Sequence, residues 1–317
     1  MKNIGKLFLS LLLTHFFASE IYAQEEPIVL KTPTADIQGT LTMPDQKKRI
    51  PIVLIISGSG ATDRDCNQPN MKSDAFKYLA DTLRKSGIAS VRFDKRGVGK
   101  SLTKDFKEKD LIFDDYAKDI KGWLAMLAKD NRFSKIIVAG HSEGSLLGMI
   151  ACKNNKKVKG YISIAGPATP TNEKLKEQLA SQPQEMKTML YAMIDTLKNG
   201  DTLHNVPKSL YVLFRPSVQP YLISWFKYNP QTEIKALNMP VLIIQGSTDI
   251  QVSVKDAELL AAAKPSSKKV IIQNMNHPLK DCDTVDQTKN FAIYNKPELP
   301  LNATFVKEMI GFIKGIK

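Results

Sequence analysis

Short apolar runs alternate with longer amphipathic stretches along most of this chain. The runs are Pro51 to Ser57, Ile88 to Phe93, Lys135 to Ala139, Gly160 to Ala165, Pro240 to Gln245 and Lys269 to Gln273. Near-continuous apolar runs of this length are what strands buried on both faces require, and they predict a mostly parallel sheet covered by helices. Between them the 3.6-residue period predicts helices at Ser73 to Ser86, Phe113 to Lys129 and Ser253 to Ala263. Ser73 reads as an N-cap and Gly87 as a stop. Ahead of the buried runs, Ile28 to Lys31 and Ile37 to Met43 predict a leading antiparallel pair joined by a turn at Thr32 to Ala35.

One segment breaks this rhythm. Glu173 to Leu197 is long and helical in pattern, and Leu203 to Tyr228 is rich in aromatics and proline, with no buried strand of its own. It predicts a helical cap inserted into the sheet domain. The domain plan is therefore a leader at 1–23, a first core part at 24–168, a cap at 169–235 and a second core part at 236–317. Aromatics of the cap, Tyr211, Phe214, Tyr221, Trp225, Phe226 and Tyr228, are expected chiefly to pack the cap, with some left to shape a pocket.

Composition adds a compartment and a charge. The first segment, Met1 to Ala23, has Lys2 and Lys6 ahead of the apolar stretch Leu7 to Phe17 and ends in the small-residue site Ile21-Tyr22-Ala23. This is the pattern of a cleavable secretory signal, and the stretch is too short and too often interrupted to span a bilayer. The expectation is an exported protein, periplasmic or extracellular, without stable membrane insertion. The formal net charge of +13 reads as lysines on solvated faces, and no nucleic-acid-binding module is recognisable. Three cysteines, Cys66, Cys152 and Cys282, make an odd number for an oxidising compartment. Cys152 is expected to be buried, and a disulfide between Cys66 and Cys282 stays open against three free thiols.

The candidate chemistry centres on Gly140-His141-Ser142-Glu143-Gly144, directly after the run Ile136 to Ala139 and before the helix-like Ser145 to Ala151. A serine in a tight strand-to-helix turn adopts strained angles and projects its hydroxyl, and the flanking glycines let strand and helix approach closely. Ser142 is the candidate nucleophile. A serine hydroxyl needs a base and an orienting carboxylate, which in this chain order should each follow a later strand. Asp249 follows Val241 to Ile244 and His277 follows Val270 to Ile272. The rivals are weaker: His204 lies in the cap, Asp256 inside a helix, and Asp281 and Asp283 beyond the histidine. Developing negative charge needs preplaced amides, and the candidates are the backbone N–H of Glu143 with that of Ser59 or Gly58.

Gly99-Lys100-Ser101 lacks the upstream glycine of a phosphate loop, neither glycine pair extends to a dinucleotide fingerprint, and cysteines and histidines show no metal-ligand spacing. No cofactor is expected.

Taken together, Gly-His-Ser-Glu-Gly, the Asp94 to Ser101 turn, Gly246-Ser247-Thr248-Asp249 and Asn276-His277 resemble the α/β-hydrolase superfamily. More narrowly, Gly58 to Asp65 with Gly-His-Ser-Glu-Gly-Ser and Met275-Asn276-His277 is similar to bacterial EstD-type carboxylesterases. The resemblance implies an α/β-hydrolase fold with a helical cap, and hydrolysis of short-chain acyl esters of small molecules through Ser142, His277 and Asp249. It departs at Cys66, where the pattern leads one to expect glycine. A serine peptidase with the same residues, or a non-catalytic binding protein on this scaffold, are the alternatives. Asp63-Arg64-Asp65 is expected to form internal ion pairs that fix the loop, with direct substrate contact as the other reading.

Overall fold

A computed structural model describes residues 24–45 and 48–317; the expected leader at 1–23 lies outside them. The strands are β1 (Gln24–Lys31), β2 (Asp36–Met43), β3 (Ile50–Ile56), β4 (Ala89–Phe93), β5 (Phe133–His141), β6 (Val158–Ile164), β7 (Val241–Gly246) and β8 (Lys268–Ile272). The main helices are α1 (Ala75–Lys85), α2 (Phe113–Leu127), α3 (Glu143–Cys152), α4 (Thr171–Gln178), α5 (Gln184–Lys198), α6 (Tyr211–Phe214), α7 (Gln219–Trp225), α8 (Pro230–Lys235), α9 (Val254–Ala263), α10 (Gln287–Tyr294) and α11 (Ala303–Gly315). They build one sheet of eight strands in the order β1-β2-β4-β3-β5-β6-β7-β8. The β1–β2 and β2–β4 pairings are antiparallel, and every pairing from β4 to β8 is parallel.

The period of two within each strand divides the core. Ile52, Leu54 and Ile56 of β3 face one side with Val138 and Tyr161, against α2, α3 and α9. Val53 and Ile55 face the other with Ile137, Ile162 and Ile244, against α1 and α11. The central strands are therefore apolar through most of their length, because neither face meets water; Ser90, Arg92, Ser163 and Gln245 are buried polar exceptions. Helix α3 is buried along its whole length, and this explains why its sequence shows no polar stripe.

Local chemistry sets several element ends. Ser253 caps α9 through a capping box with Asp256. At α1 the cap differs from the expected Ser73: the N-cap is Asp74, held in the left-handed region at φ 51°. Ser73 serves one residue earlier, its hydroxyl accepting from Ala75 N and donating to the Cys66 carbonyl. The single long helix expected over Glu173 to Leu197 is broken into α4 and α5 around Pro183, which is the N-cap of α5. Proline disfavours helical angles in the residue before it and donates no N–H, so it ends one helix and starts the next.

Helices α4 to α8 lie between β6 and β7, where the sequence predicts an insertion. The insertion has a small core of its own, built on Leu190, Ile194, Leu197, Phe214, Leu222 and Phe226. Ile234 of α8 and the adjacent Leu237 join the main core instead. Trp225 stacks on Phe113 at the start of α2, with centroids 5.2 Å apart and planes 6° from parallel. Ser224 Oγ accepts from Phe113 N at 2.8 Å, and Arg215 pairs with Glu108. These contacts dock the insertion over one end of the sheet.

All three cysteines are buried free thiols, so Cys66 and Cys282 do not pair. Cys66 has φ 70°, the region glycine favours, at the position where the resemblance leads one to expect glycine. Burial pushes its thiol up to about 12. Among the described residues no helix is long and apolar enough to cross a membrane.

Candidate active site

Ser142 occupies the turn between β5 and α3 with φ 55° and ψ −124°. This strained geometry is possible because Gly140 and Gly144, two positions to either side, have no side chain. A Cβ on Gly140 would lie 2.2 Å from the Gly144 carbonyl oxygen, and one on Gly144 would lie 2.5 Å from the Ile56 carbonyl oxygen. Close packing of β3, β5 and α3 thus dictates the Gly-x-Ser-x-Gly spacing. The Ser142 N–H is anchored on the Ile164 carbonyl at 2.9 Å.

Asp249 follows β7 and His277 follows β8, and the structure brings them together: His277 Nδ1 donates to Asp249 Oδ2 at 2.8 Å. A carboxylate can only accept, so the proton sits on Nδ1 and the Nε2 lone pair is left free. Burial opposes ionisation of Asp249. His277 and the amides of Val252 and Gln251 outweigh it and hold the carboxyl below its ordinary range. Gln245, buried at the end of β7, adds an Nε2–H bond to Asp249 Oδ2 at 3.1 Å. The rivals are engaged elsewhere: His204 is exposed, Asp256 caps α9 and pairs with Lys174, and Asp281 accepts from Asn302.

The loop after β3 carries Gly58 and Ser59 against the serine turn; a Cβ on Gly58 would stand 3.1 Å from Ser142 Cβ. Thr62 Oγ1 donates to the Ser59 carbonyl at 2.7 Å and fixes the loop. Asp63, Arg64 and Asp65 form internal bonds: Arg64 pairs with Asp94 at 2.7 Å and Asp65 with Arg92 at 2.6 Å. Asp63 Oδ1 accepts from the Asp65 and Asn67 amides.

Residues 69–210 match the family model described as serine aminopeptidase, S33. Esterase EstD of Thermotoga maritima is 28% identical over 254 residues, covering 76% of this chain. The chain spans 57% of the length of that curated relative. Est1E from Butyrivibrio proteoclasticus, solved with ferulic acid bound, matches with a TM-score of 0.57 at 18% identity, over 90% of this chain and 99% of that one. The Pyrococcus furiosus esterase Pf2001 matches with a TM-score of 0.57 at 15% identity, over 92% and 91%. The proline iminopeptidase of Mycobacterium smegmatis matches with a TM-score of 0.59 at 13% identity, over 91% and 98%. The chain has the α/β-hydrolase fold. It resembles bacterial EstD-type carboxylesterases.

On this hydrolase fold Ser142 stands where two cavities meet. The first, about 490 Å³, lies under the insertion and is lined by Leu111, Val218, Leu222 and Trp225 together with Tyr221 and Glu143. The second, about 340 Å³, is bordered by His277, His141, Ser59 and Gly58. Of the cap aromatics, Phe214 and Phe226 pack the insertion's own core, whereas Tyr221 and Trp225 line the first cavity.

Three site residues escaped the sequence reading. Lys95 is buried and donates to the Gly58 carbonyl at 2.5 Å and to Glu143 Oε1 at 3.0 Å. His141 bonds to the His277 backbone, and Gln245 supports Asp249. The only available signal was a charged pair, Asp94 and Lys95, just after a buried strand. Its partner lies 48 positions away, and no local pattern encodes such a pairing.

Proposed function

We propose that this protein is a serine carboxylesterase of the exported compartment, acting on esters of small molecules. The observation that carries the reading is the His277–Asp249 bond of 2.8 Å beside a serine held at positive φ. Ser142 Oγ attacks the ester carbonyl carbon while His277 Nε2 takes its proton. The N–H groups of Glu143 and Ser59 face the developing oxyanion, and Asp249 stabilises the imidazolium. Collapse breaks the bond to the alcohol oxygen, which leaves with the proton from His277. Water then attacks the acyl-serine, again giving its proton to His277; the carboxylic acid departs and Ser142 regains its hydroxyl. Preference for short acyl chains follows from the EstD resemblance, while the first cavity has room for longer ones.

A peptidase reading draws on the family model's description and the iminopeptidase neighbour. An aminopeptidase must seat a substrate ammonium against free negative charge. Both carboxylates bordering the first cavity are already in ion pairs, Glu143 with Lys95 and Glu108 with Arg215. The ester reading therefore stands first.

The test is hydrolysis of p-nitrophenyl acetate, butyrate and octanoate and of aminoacyl-nitroanilides, with fluorophosphonate labelling, by wild type and Ser142→Ala. Ester turnover and labelling that fall together in the variant, by about 10⁴-fold or more in kcat, support the proposal. Faster nitroanilide than ester turnover would put the peptidase first. Sequencing the amino terminus of the protein from its native host tests export, with residue 24 expected first.

A further inference from the structure

We infer that the second cavity holds the alcohol portion of the ester and that this portion is a neutral, polyhydroxylated unit, a sugar. The inference rests on the esterase reading and adds a substrate class to it. His277 must hand its proton to the departing alcohol oxygen, so the alcohol lies on the side that His277 faces. His277 borders the second cavity and does not border the first. The acyl chain is left with the first cavity and its Leu111, Leu222 and Trp225 wall.

The second cavity's lining selects among alcohols. Not one of its residues is an Asp, Glu, Lys or Arg, in a chain of which 24% is charged. A phosphorylated or cationic alcohol would lose its hydration there without gaining a counter-charge. Four side-chain amides stand in the wall instead: Gln68, Asn70, Gln251 and Asn295. Three of them have one end tied, which orients the other. Gln68 Nε2 donates to Thr62 Oγ1 at 2.9 Å, and Gln251 Nε2 donates to the Tyr294 hydroxyl at 3.1 Å. Asn295 Oδ1 accepts from the Lys72 N–H at 2.9 Å. Two amide oxygens and one NH₂ group are thereby presented as fixed acceptors and a donor. A plain alkyl alcohol would strip their water and return nothing, whereas hydroxyls spaced around a ring satisfy both kinds.

An aromatic platform completes the site. Phe291 lines the cavity, is 51% exposed, and is backed by Tyr294 with centroids 5.1 Å apart. A large apolar ring left half in water beside uncharged amides suits the apolar C–H face of a pyranose.

The experiment compares kcat/KM for mono-O-acetylated methyl β-D-xylopyranoside and for ethyl acetate, in wild type and Phe291→Ala. The same sugar ester and ethyl acetate are titrated by calorimetry into Ser142→Ala protein. Wild type is expected to favour the sugar ester, and Phe291→Ala to reduce that preference about tenfold. Ser142→Ala is expected to bind the sugar ester more tightly than ethyl acetate. Equal kcat/KM for the two esters, or a preference that Phe291→Ala leaves intact, overturns the assignment. Loss of the esterase reading shows separately, as no p-nitrophenyl acetate turnover and no fluorophosphonate label; in that case the calorimetric preference alone decides the cavity's ligand.

Discussion

His141, the residue before the serine turn, donates its Nε2–H to the backbone carbonyl of His277 at 2.9 Å. A residue fixed by β5 thus holds the loop that carries the other histidine, and the two rings lie 4.5 Å apart. Burial, then the neighbouring His277, pushes the His141 imidazole down to about 3. Burial and the neighbouring His277 keep it neutral although the bond to the carbonyl favours the charged form, and in the neutral ring the carbonyl accepts from Nε2–H while Nδ1 has no partner.

Replacing this donor should separate geometry from charge. His141→Gln keeps an Nε2 donor, whereas His141→Leu leaves a buried carbonyl unpaired at a cost of about 1–3 kcal/mol. The Leu variant should lose kcat more than KM, and the Gln variant should recover part of it. For stability, the unfolded chain takes up a proton below the ordinary 6.5 that the folded protein refuses until about 3. Stability therefore falls as pH drops through that window. Urea midpoints at about pH 7 and about pH 5 should differ less in His141→Gln than in wild type. An equal difference would remove His141 as the cause.

Ser142 stores strain for the same turn. A non-glycine residue at φ 55° and ψ −124° costs about 1–3 kcal/mol, which glycine relieves. Ser142→Gly should raise Tm by a few degrees while abolishing ester turnover. A melting temperature at or below that of wild type would mean that the turn is not strained.

Much of this arrangement is legible along the chain, because tight backbone packing must be written locally. Gly140 and Gly144 announce the turn, and the apolar runs announce strands whose ends place Asp249 and His277. The bend at Pro183 was legible too, but the helical period on either side outweighed it. Contacts between distant segments are not written this way. Three consecutive residues after β4 each pair with a different element: Asp94 with Arg64, Lys95 with Glu143, and Arg96 with Asp119. In the sequence they read only as a charged turn.

The Arg64–Asp94 pair has a pH signature. Burial opposes ionisation of Asp94, and the bonds from Arg64 outweigh it, so its carboxyl titrates below 3.8. Its contribution is present above about that pH and is lost as pH falls through the depressed folded value. In Arg64→Ala the burial remains without the counter-charge, and Asp94 keeps only the backbone N–H bonds from residue 64 and Lys100. The variant should be less stable by about 3 kcal/mol at neutral pH, with lower turnover. The gap should narrow as acid protonates Asp94. An unchanged Tm with a raised KM would instead assign Arg64 to substrate contact.

Lys95 tests the oxyanion assignment most directly. Its ammonium joins the Gly58 carbonyl to the Glu143 carboxylate, and so couples the two backbone segments whose amides are proposed to form the oxyanion hole. Both side chains are 1% exposed. Lys95→Met keeps most of the stem's volume but leaves Glu143 buried and alone, a loss of about 3–5 kcal/mol. The double variant Lys95→Met/Glu143→Leu removes both charges and should regain most of that stability. Activity should not return with it, since the Gly58 carbonyl still lacks its donor and the loop is free to shift. Removing one oxyanion donor lowers kcat by about 10²–10³-fold, so a loosened pair should lie at or below that figure, with KM little changed. Stability and kcat that recover together in the double variant would show that Lys95 only balances a charge.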